Sequence, residues 1–436
     1  MRSSRCEAAQ ERRALARWVR KSNLDPVCVA MTMRCLRVRA LSSVAARGLH
    51  GHPWREPSVV LGIETSCDDT AAAVVAERGR VLGEALHSQK ETHLKTGGII
   101  PPVAQRLHRE HLDRVVKEAM DNSGVSLNEL TAIATTIKPG LALSLRVGLE
   151  YSLKLIEQYE KPFIPIHHME AHALTIRMLQ AVEFPFLVLL ISGGHSLLAV
   201  VRGVDDFLLL GQTLDEAPGD TLDKVARRLS LKNHPACCTM SGGEAIEYLA
   251  RTGNRLHVEI TQPMSRHLDC DFSFSGLRNQ VNQIIIKKEK EEAGIQSGQL
   301  LSCVNDIAAT VQHTVAVHLA RRTHRAILFC KKEDLLPQSN PALVVSGGVA
   351  SNEYIIKVLQ IVTDANGISL KCPPPKLCTD NGIMIAWNGI ERLRAGIGVL
   401  NKPKTIRYEP KAPLGINLSE QVRKAALKVP HLKLNR

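Results

Sequence analysis

The stretch that decides the fold is VVLGIETSCDDTAAAVV, Val59 to Val75: an apolar run, a polar turn, and a second apolar run. LVLLISGGHSLLAVV, Leu187 to Val201, repeats the plan with glycines in the turn. Each segment alone reads as a β-hairpin. A hairpin used twice points to a duplicated α/β architecture, two related lobes facing across a cleft. Short Gly, Ser and Asp turns after buried strands can also present backbone N–H groups to phosphate, because little side chain blocks the approach.

Working outward, ALVVSGGVASN from Ala342 to Asn352 is an apolar strand, a glycine pair and the start of a helical stretch, a nucleotide-sized cradle that is neither GxGxxG nor a Walker A loop. HLKTGGIIPP, His93 to Pro102, reads as a loop at a possible cleft, and Lys287 to Glu292 as a solvated helix face. The expected organisation is a leader over 1–57, a first α/β lobe over 58–167, a second over 168–415 whose last helix can return to the first, and a tail over 416–436.

The chain has 436 residues and a net charge of +13, which invites a nucleic-acid reading. Its distribution weakens that inference: residues 1–57 hold twelve Arg and Lys against four Asp and Glu, leaving the body near neutral. In the leader, Arg34, Arg37, Arg39 and Arg47 alternate with Leu36, Val38, Leu41 and Val44, and no acid lies between Asp25 and Glu56. That profile predicts a mitochondrial targeting presequence and a matrix location, against the alternative of a basic RNA-binding tail. The eleven cysteines form no Cys-x-x-Cys pair, which excludes a zinc ribbon and a secreted disulfide framework. No apolar run is long enough to predict a membrane span.

FIPIHHMEAHAL, Phe163 to Leu174, places His168 and His172 four residues apart, on one helical face if the helix begins near His168. This is metal-ligand spacing, although isolated histidines at that spacing are often plain core or surface residues. A zincin-type peptidase is disfavoured because Met169, not Glu, follows His168, so the general base is missing. The best distant third ligand is Asp380 in LCTDNGIMIAW, although read locally a helix N-cap is the better assignment for it. Two imidazoles and a carboxylate leave coordination positions open, as a catalytic metal requires.

GIETSCDDT (Gly62 to Thr70), IHHMEAH (Ile166 to His172), LISGGH (Leu190 to His195), DFSFSGL (Asp271 to Leu277), SGGVASN (Ser346 to Asn352) and CTDNGIMIAW (Cys378 to Trp387) occur in one order. Over about residues 58–415 the chain resembles the TsaD-type tRNA N6-adenosine threonylcarbamoyltransferases, and its leader resembles that of their mitochondrial branch. The resemblance implies an actin/hexokinase-like ATPase fold that moves the threonylcarbamoyl group from L-threonylcarbamoyl-adenylate to the N6 amine of the adenosine 3′ of the anticodon, in tRNAs reading codons that begin with A, releasing AMP. It implies His168, His172 and Asp380 as ligands of one divalent metal ion, and Leu190, Ile191, Ser192, Gly193, Gly194, Asp223, Gly243 and Asn352 as adenylate contacts. It also implies a homodimer.

The residue chemistry suits that reading. An exocyclic amine is a poor nucleophile, so the carbonyl must be polarised and the departing phosphate neutralised. Asp68 is the candidate for orienting or deprotonating the amine. His2Asp suits zinc or iron, while a role on phosphate also admits magnesium or manganese. The chain departs from the family pattern at Lys138-Pro139-Gly140, at Pro102 and at Gly219 to Lys224, which reads GDTLDK. An ATP-dependent kinase or chaperone of the same fold, a metallopeptidase and a non-catalytic tRNA-binding module remain the rival readings.

Overall fold

The computed structural model describes residues 58–434, apart from 97, 293–297, 402 and 404. The leader expected over 1–57 lies outside the described residues. Two sheets organise the chain. The first contains β1 (Val59–Glu64), β2 (Asp69–Ala76), β3 (Arg80–Ser88), β4 (Ala132–Lys138) and β5 (Phe163–His167), in the spatial order β3-β2-β1-β4-β5. The second contains β6 (Phe186–Ile191), β7 (Ser196–Val201), β8 (Phe207–Gln212), β9 (Ala342–Ser346), β10 (Ser369–Lys371) and β11 (Ile416–Asn417), in the order β10-β9-β6-β7-β8-β11.

The two sheets share one wiring: an antiparallel three-strand meander, then two strands that add in parallel on the far side of its first strand. Parallel addition requires a crossover, and helices supply it. In the first half these are α1 (Pro101–Ser123) and α2 (Ala142–Tyr159). In the second half α3 (His168–Leu174) leads into the sheet. There α4 (Pro218–Arg228), α5 (Gly242–Ala250), α6 (Ser275–Glu291) and α7 (Val304–Lys332) bridge β8 and β9, and α8 (Glu353–Asn366) bridges β9 and β10. Helices on the sheet faces bury both sides of the central strands, which is why β6 reads FLVLLI with every residue buried instead of alternating.

The prolines of the His93–Pro102 stretch initiate α1, where a missing N–H costs nothing, and Lys90–Thr96 is helical, so little of the expected loop remains. The helix α9 (Gly382–Ala395) crosses from the second half onto the first sheet. Its backbone lies against β1 and β2: a Cβ on Gly62 would sit 2.3 Å from Ala386 N, and one on Gly382 2.4 Å from the Ala72 carbonyl carbon. Ile383, Met384, Ile385, Trp387 and Ile390 are buried there, each removal from water contributing about 1.5–3 kcal/mol for the larger side chains. This crossing carries Asp380, two residues before α9, to the end of β5, beside His168 and His172. Residues 416–436, expected as a tail, begin with a strand: β11 pairs in parallel with β8, and the Leu427 carbonyl accepts from Arg325 Nε at 2.9 Å.

Candidate metal centre and nucleotide cradle

β5 ends at His167, whose Nδ1 accepts the Met169 N–H at 3.2 Å and so caps α3. The helix therefore starts at His168, and His168 and His172 stand one turn apart with ring centroids at 4.7 Å and planes at 84°. Asp380 is not the cap of α9. Asn381 does that, its Oδ1 accepting from Met384 N at 2.8 Å, which leaves the Asp380 carboxylate to face the histidines. Asp380 Oδ1 lies 3.0 Å from His172 Nε2 and 3.5 Å from His168 Nε2.

One donor atom from each of the three residues lies within 4.8 Å of the others. Two ligand atoms about 2.1 Å from one tetrahedral ion are about 3.4 Å apart, so this donor set fits a transition-metal or zinc cation. The fit extends behind the ring. His168 Nδ1 is 3.2 Å from Ser66 Oγ and 3.4 Å from Glu64 Oε2, so Nε2 is the nitrogen turned toward Asp380. Burial disfavours charge on His168, yet the Asp380 and Glu64 carboxylates raise its pKa to about 9. Burial likewise opposes ionisation of Asp380, but His168 and His172 hold it well below the usual carboxylate range.

Asp68 lies in the β1–β2 turn. Burial, then the Asp380 charge, raises its pKa, making it a stronger proton acceptor than an exposed carboxylate. Its neighbour Asp69 is raised further, to about 7, chiefly by burial, and its Oδ1 is buried without a hydrogen-bond partner.

The β6–β7 turn faces the same centre, with the His195 ring 6.4 Å from that of His168. Burial, then the His168 charge, lowers the His195 pKa to about 4 and keeps the ring neutral. Leu190 and Ile191 are core residues of β6, whose backbone leads into the turn. Ser192 Oγ accepts from Gly194 N at 3.3 Å and His195 N at 3.0 Å. Two of the turn's N–H groups are thus already engaged, and the turn offers mainly bare surface: a Cβ on Gly193 or Gly194 would meet nothing within 4 Å. Gly347 packs beneath, at φ 97°, where a Cβ would fall 2.3 Å from the Ile191 carbonyl oxygen.

Asp223, on α4, accepts from Gly243 N at 3.1 Å at the start of α5; burial raises its pKa and this bond opposes the rise. Asn352 caps α8, its Oδ1 taking Ile355 N at 3.0 Å and Gln312 Nε2 at 3.2 Å. Glu247 of α5 accepts from Glu353 N at 2.9 Å, so the helix starts that carry Gly243 and Asn352 are tied together. Glu64, Asp69 and His195 escaped the sequence reading. An acid closing the apolar run VVLGI was the available sign of a purposeful buried carboxylate.

A sequence model of the TsaD family, described as tRNA N6-adenosine threonylcarbamoyltransferase, matches residues 80–387. The chain belongs to the TsaD family. A zebrafish (Danio rerio) family member named mitochondrial tRNA N6-adenosine threonylcarbamoyltransferase is 68% identical over 389 residues, 89% of this chain and 96% of that one. The Homo sapiens protein of that name is 69% identical over 376 residues, covering 86% and 91%. A bacterial TsaD protein, from Sinorhizobium medicae, is 42% identical over 343 residues, covering 78% and 91%. Among the described residues no helix is long and apolar enough to cross a membrane.

Proposed function

We propose that this TsaD protein modifies mitochondrial tRNA, transferring the threonylcarbamoyl group from L-threonylcarbamoyl-adenylate to the N6 amine of the adenosine 3′ of the anticodon in tRNAs reading codons that begin with A. The observation that carries the reading is the juxtaposition of His168, His172 and Asp380 with the glycine turn Ser192–His195 at one centre. His168, His172 and Asp380 would hold one divalent cation, zinc or iron by the softness of the imidazoles, with magnesium or manganese admitted by a role on phosphate. Such a cation supplies Lewis acidity toward the carbamoyl carbonyl and charge for the departing phosphate.

The chain's own residues do the rest. The bare surface of Gly193 and Gly194 admits the phosphate closely, and Leu190 to Ser192 supply the backbone that fixes the turn. Asp223 and Gly243 face the ribose, and Asn352 closes the adenylate site from α8. Asp68 accepts the amine proton as the N6–carbon bond forms and the carbon–oxygen bond to phosphate breaks, with AMP leaving. The two lobes, 58–167 and 168–415, work as a homodimer's protomer without further subunits, and residues 1–57 act as the import signal.

The test is to incubate the purified chain with synthetic threonylcarbamoyl-adenylate and an anticodon stem-loop RNA. The expected products are AMP and a threonylcarbamoylated adenosine, without added ATP. ATP turnover with no modified nucleoside would favour a kinase or chaperone, and RNA binding without product a non-catalytic module.

A further inference from the structure

Glu64 takes no part in the reaction above, yet it ends β1 with 0% of its surface exposed. A buried carboxylate is tolerated only when its oxygens are satisfied. Its Oε1 accepts from Ser66 N at 2.6 Å, and its Oε2 accepts from the Thr136 hydroxyl. The same Oε2 lies 3.4 Å from His168 Nδ1, and Ser66 Oγ lies 3.2 Å from that nitrogen. His168 is therefore held between two acids, Glu64 behind Nδ1 and Asp380 in front of Nε2. His172 has no such support: its Nδ1 is buried without a hydrogen-bond partner.

A ligating imidazole needs its lone pair on the coordinating nitrogen and its proton on the other, and an acceptor behind the ring enforces both. We propose that Glu64 is the positioning residue of the metal centre: it fixes His168 as the Nδ1–H tautomer with the Nε2 lone pair aimed at the space shared with His172 and Asp380. The inference rests on the reading of those three residues as metal ligands. Glu64 also adds a second negative charge beside Asp380, so that once a cation takes the place of the Nε2 proton two carboxylates flank the ring and favour a divalent over a monovalent cation. The sequence does this with one residue because β1 and β5 flank β4, so that Glu64 at the end of β1 and His168 just past the end of β5 meet across the end of β4, where Thr136 stands.

Cobalt(II) titrations of the metal-stripped full-length chain, followed by visible absorption, test it. Glu64→Gln keeps the shape and can still accept from Ser66 N, but its amide can donate to Nδ1 and so favours the wrong tautomer. Its cobalt affinity should fall about 10- to 100-fold, the usual effect of losing an outer partner of a ligating histidine. In wild type the paramagnetically shifted Nδ1–H proton of His168 should be protected from solvent exchange, and in Glu64→Gln that resonance should be lost. A merely structural role would lower the thermal midpoint without moving either readout. Should Glu64→Gln fail to fold, Thr136→Val loosens the carboxylate while keeping its charge, and a severalfold loss of cobalt affinity is expected. Wild-type affinity and an unchanged resonance in a folded variant overturn the positioning role alone, whereas a wild-type chain that binds no cobalt overturns the metal reading beneath it.

Discussion

The β1–β2 and β6–β7 hairpins occupy equivalent places in their sheets, but their turns are built for opposite tasks. In the first, registered pairing stops at Glu64 and Ala71; in the second it runs on to Ile191 and Ser196, which leaves a turn two residues shorter. The wider turn has no glycine; Glu64 at its start lies against His168, and Asp68 and Asp69 within it feel the charge of Asp380. The tighter turn has two glycines opening onto empty space. One wiring therefore yields a carboxylate-rich wall on one side and a bare cradle on the other. Duplication supplies the geometry, and a few turn residues decide the chemistry.

The largest effect should come from removing the group both sides converge on. Asp380→Ala should lower transfer by at least about 100-fold, beyond the loss expected for an outer partner, and should strip most bound metal, measured by elemental analysis of the purified protein. Retained metal would break the assignment of the centre.

Glycine substitutions sharpen the contrast within the cradle. Gly347→Ala should destabilise the fold by about 2 kcal/mol or more, because its φ of 97° and the Ile191 carbonyl both refuse a side chain. Gly194→Ala should leave the thermal midpoint unchanged, since its Cβ meets nothing, yet raise KM for the adenylate severalfold. Equal melting of both variants, or an unaltered KM in the second, would mean the open space is not the phosphate site.

Asp223→Ala and Asn352→Ala should raise the apparent KM for the adenylate more than that for RNA, each lost hydrogen bond costing about 0.5–1.5 kcal/mol. Asn352→Ala should also cost about 1 kcal/mol of stability as a helix cap, which separates it from Asp223→Ala in denaturant titrations. If RNA binding falls instead, the cradle has been assigned to the wrong ligand.

The smallest effect belongs to the acidic turn. Asp69 has a folded pKa of about 7 against a reference of 3.8, so between those pH values the folded chain keeps a proton that the unfolded chain has lost. Stability from this group is therefore full at low pH and declines as pH rises toward 7. Asp69→Asn should raise the melting temperature at pH 8 by more than it does at pH 5. An equal gain at both would mean that the carboxylate is not strained by burial.

The repeated hairpin was legible because two buried strands and a polar turn are written in contiguous residues, and the four-residue spacing of His168 and His172 because a helix repeats at that interval. Asp380 was ambiguous locally. Only the Asn381 cap and the return of α9 to the first sheet show why its carboxylate is turned to the histidines, and that return depends on packing between residues more than two hundred positions apart. Glu64 and His195 were missed for the same reason: their partners are set by which strand ends meet. The strand at Ile416 was hidden because two residues carry too little periodicity to announce it.

If the two unlike turns serve one metal-assisted transfer, product formation depends on the cation and AMP release is tied to it. The most direct measurement is a single-turnover reaction of the chelator-stripped chain, before and after reloading with a divalent cation, counting AMP released and modified adenosine formed. The stripped chain should give negligible product, recover on reloading, and release one AMP for each modified adenosine. Full-rate transfer by the stripped chain, or AMP released without modified adenosine, would contradict that shared role.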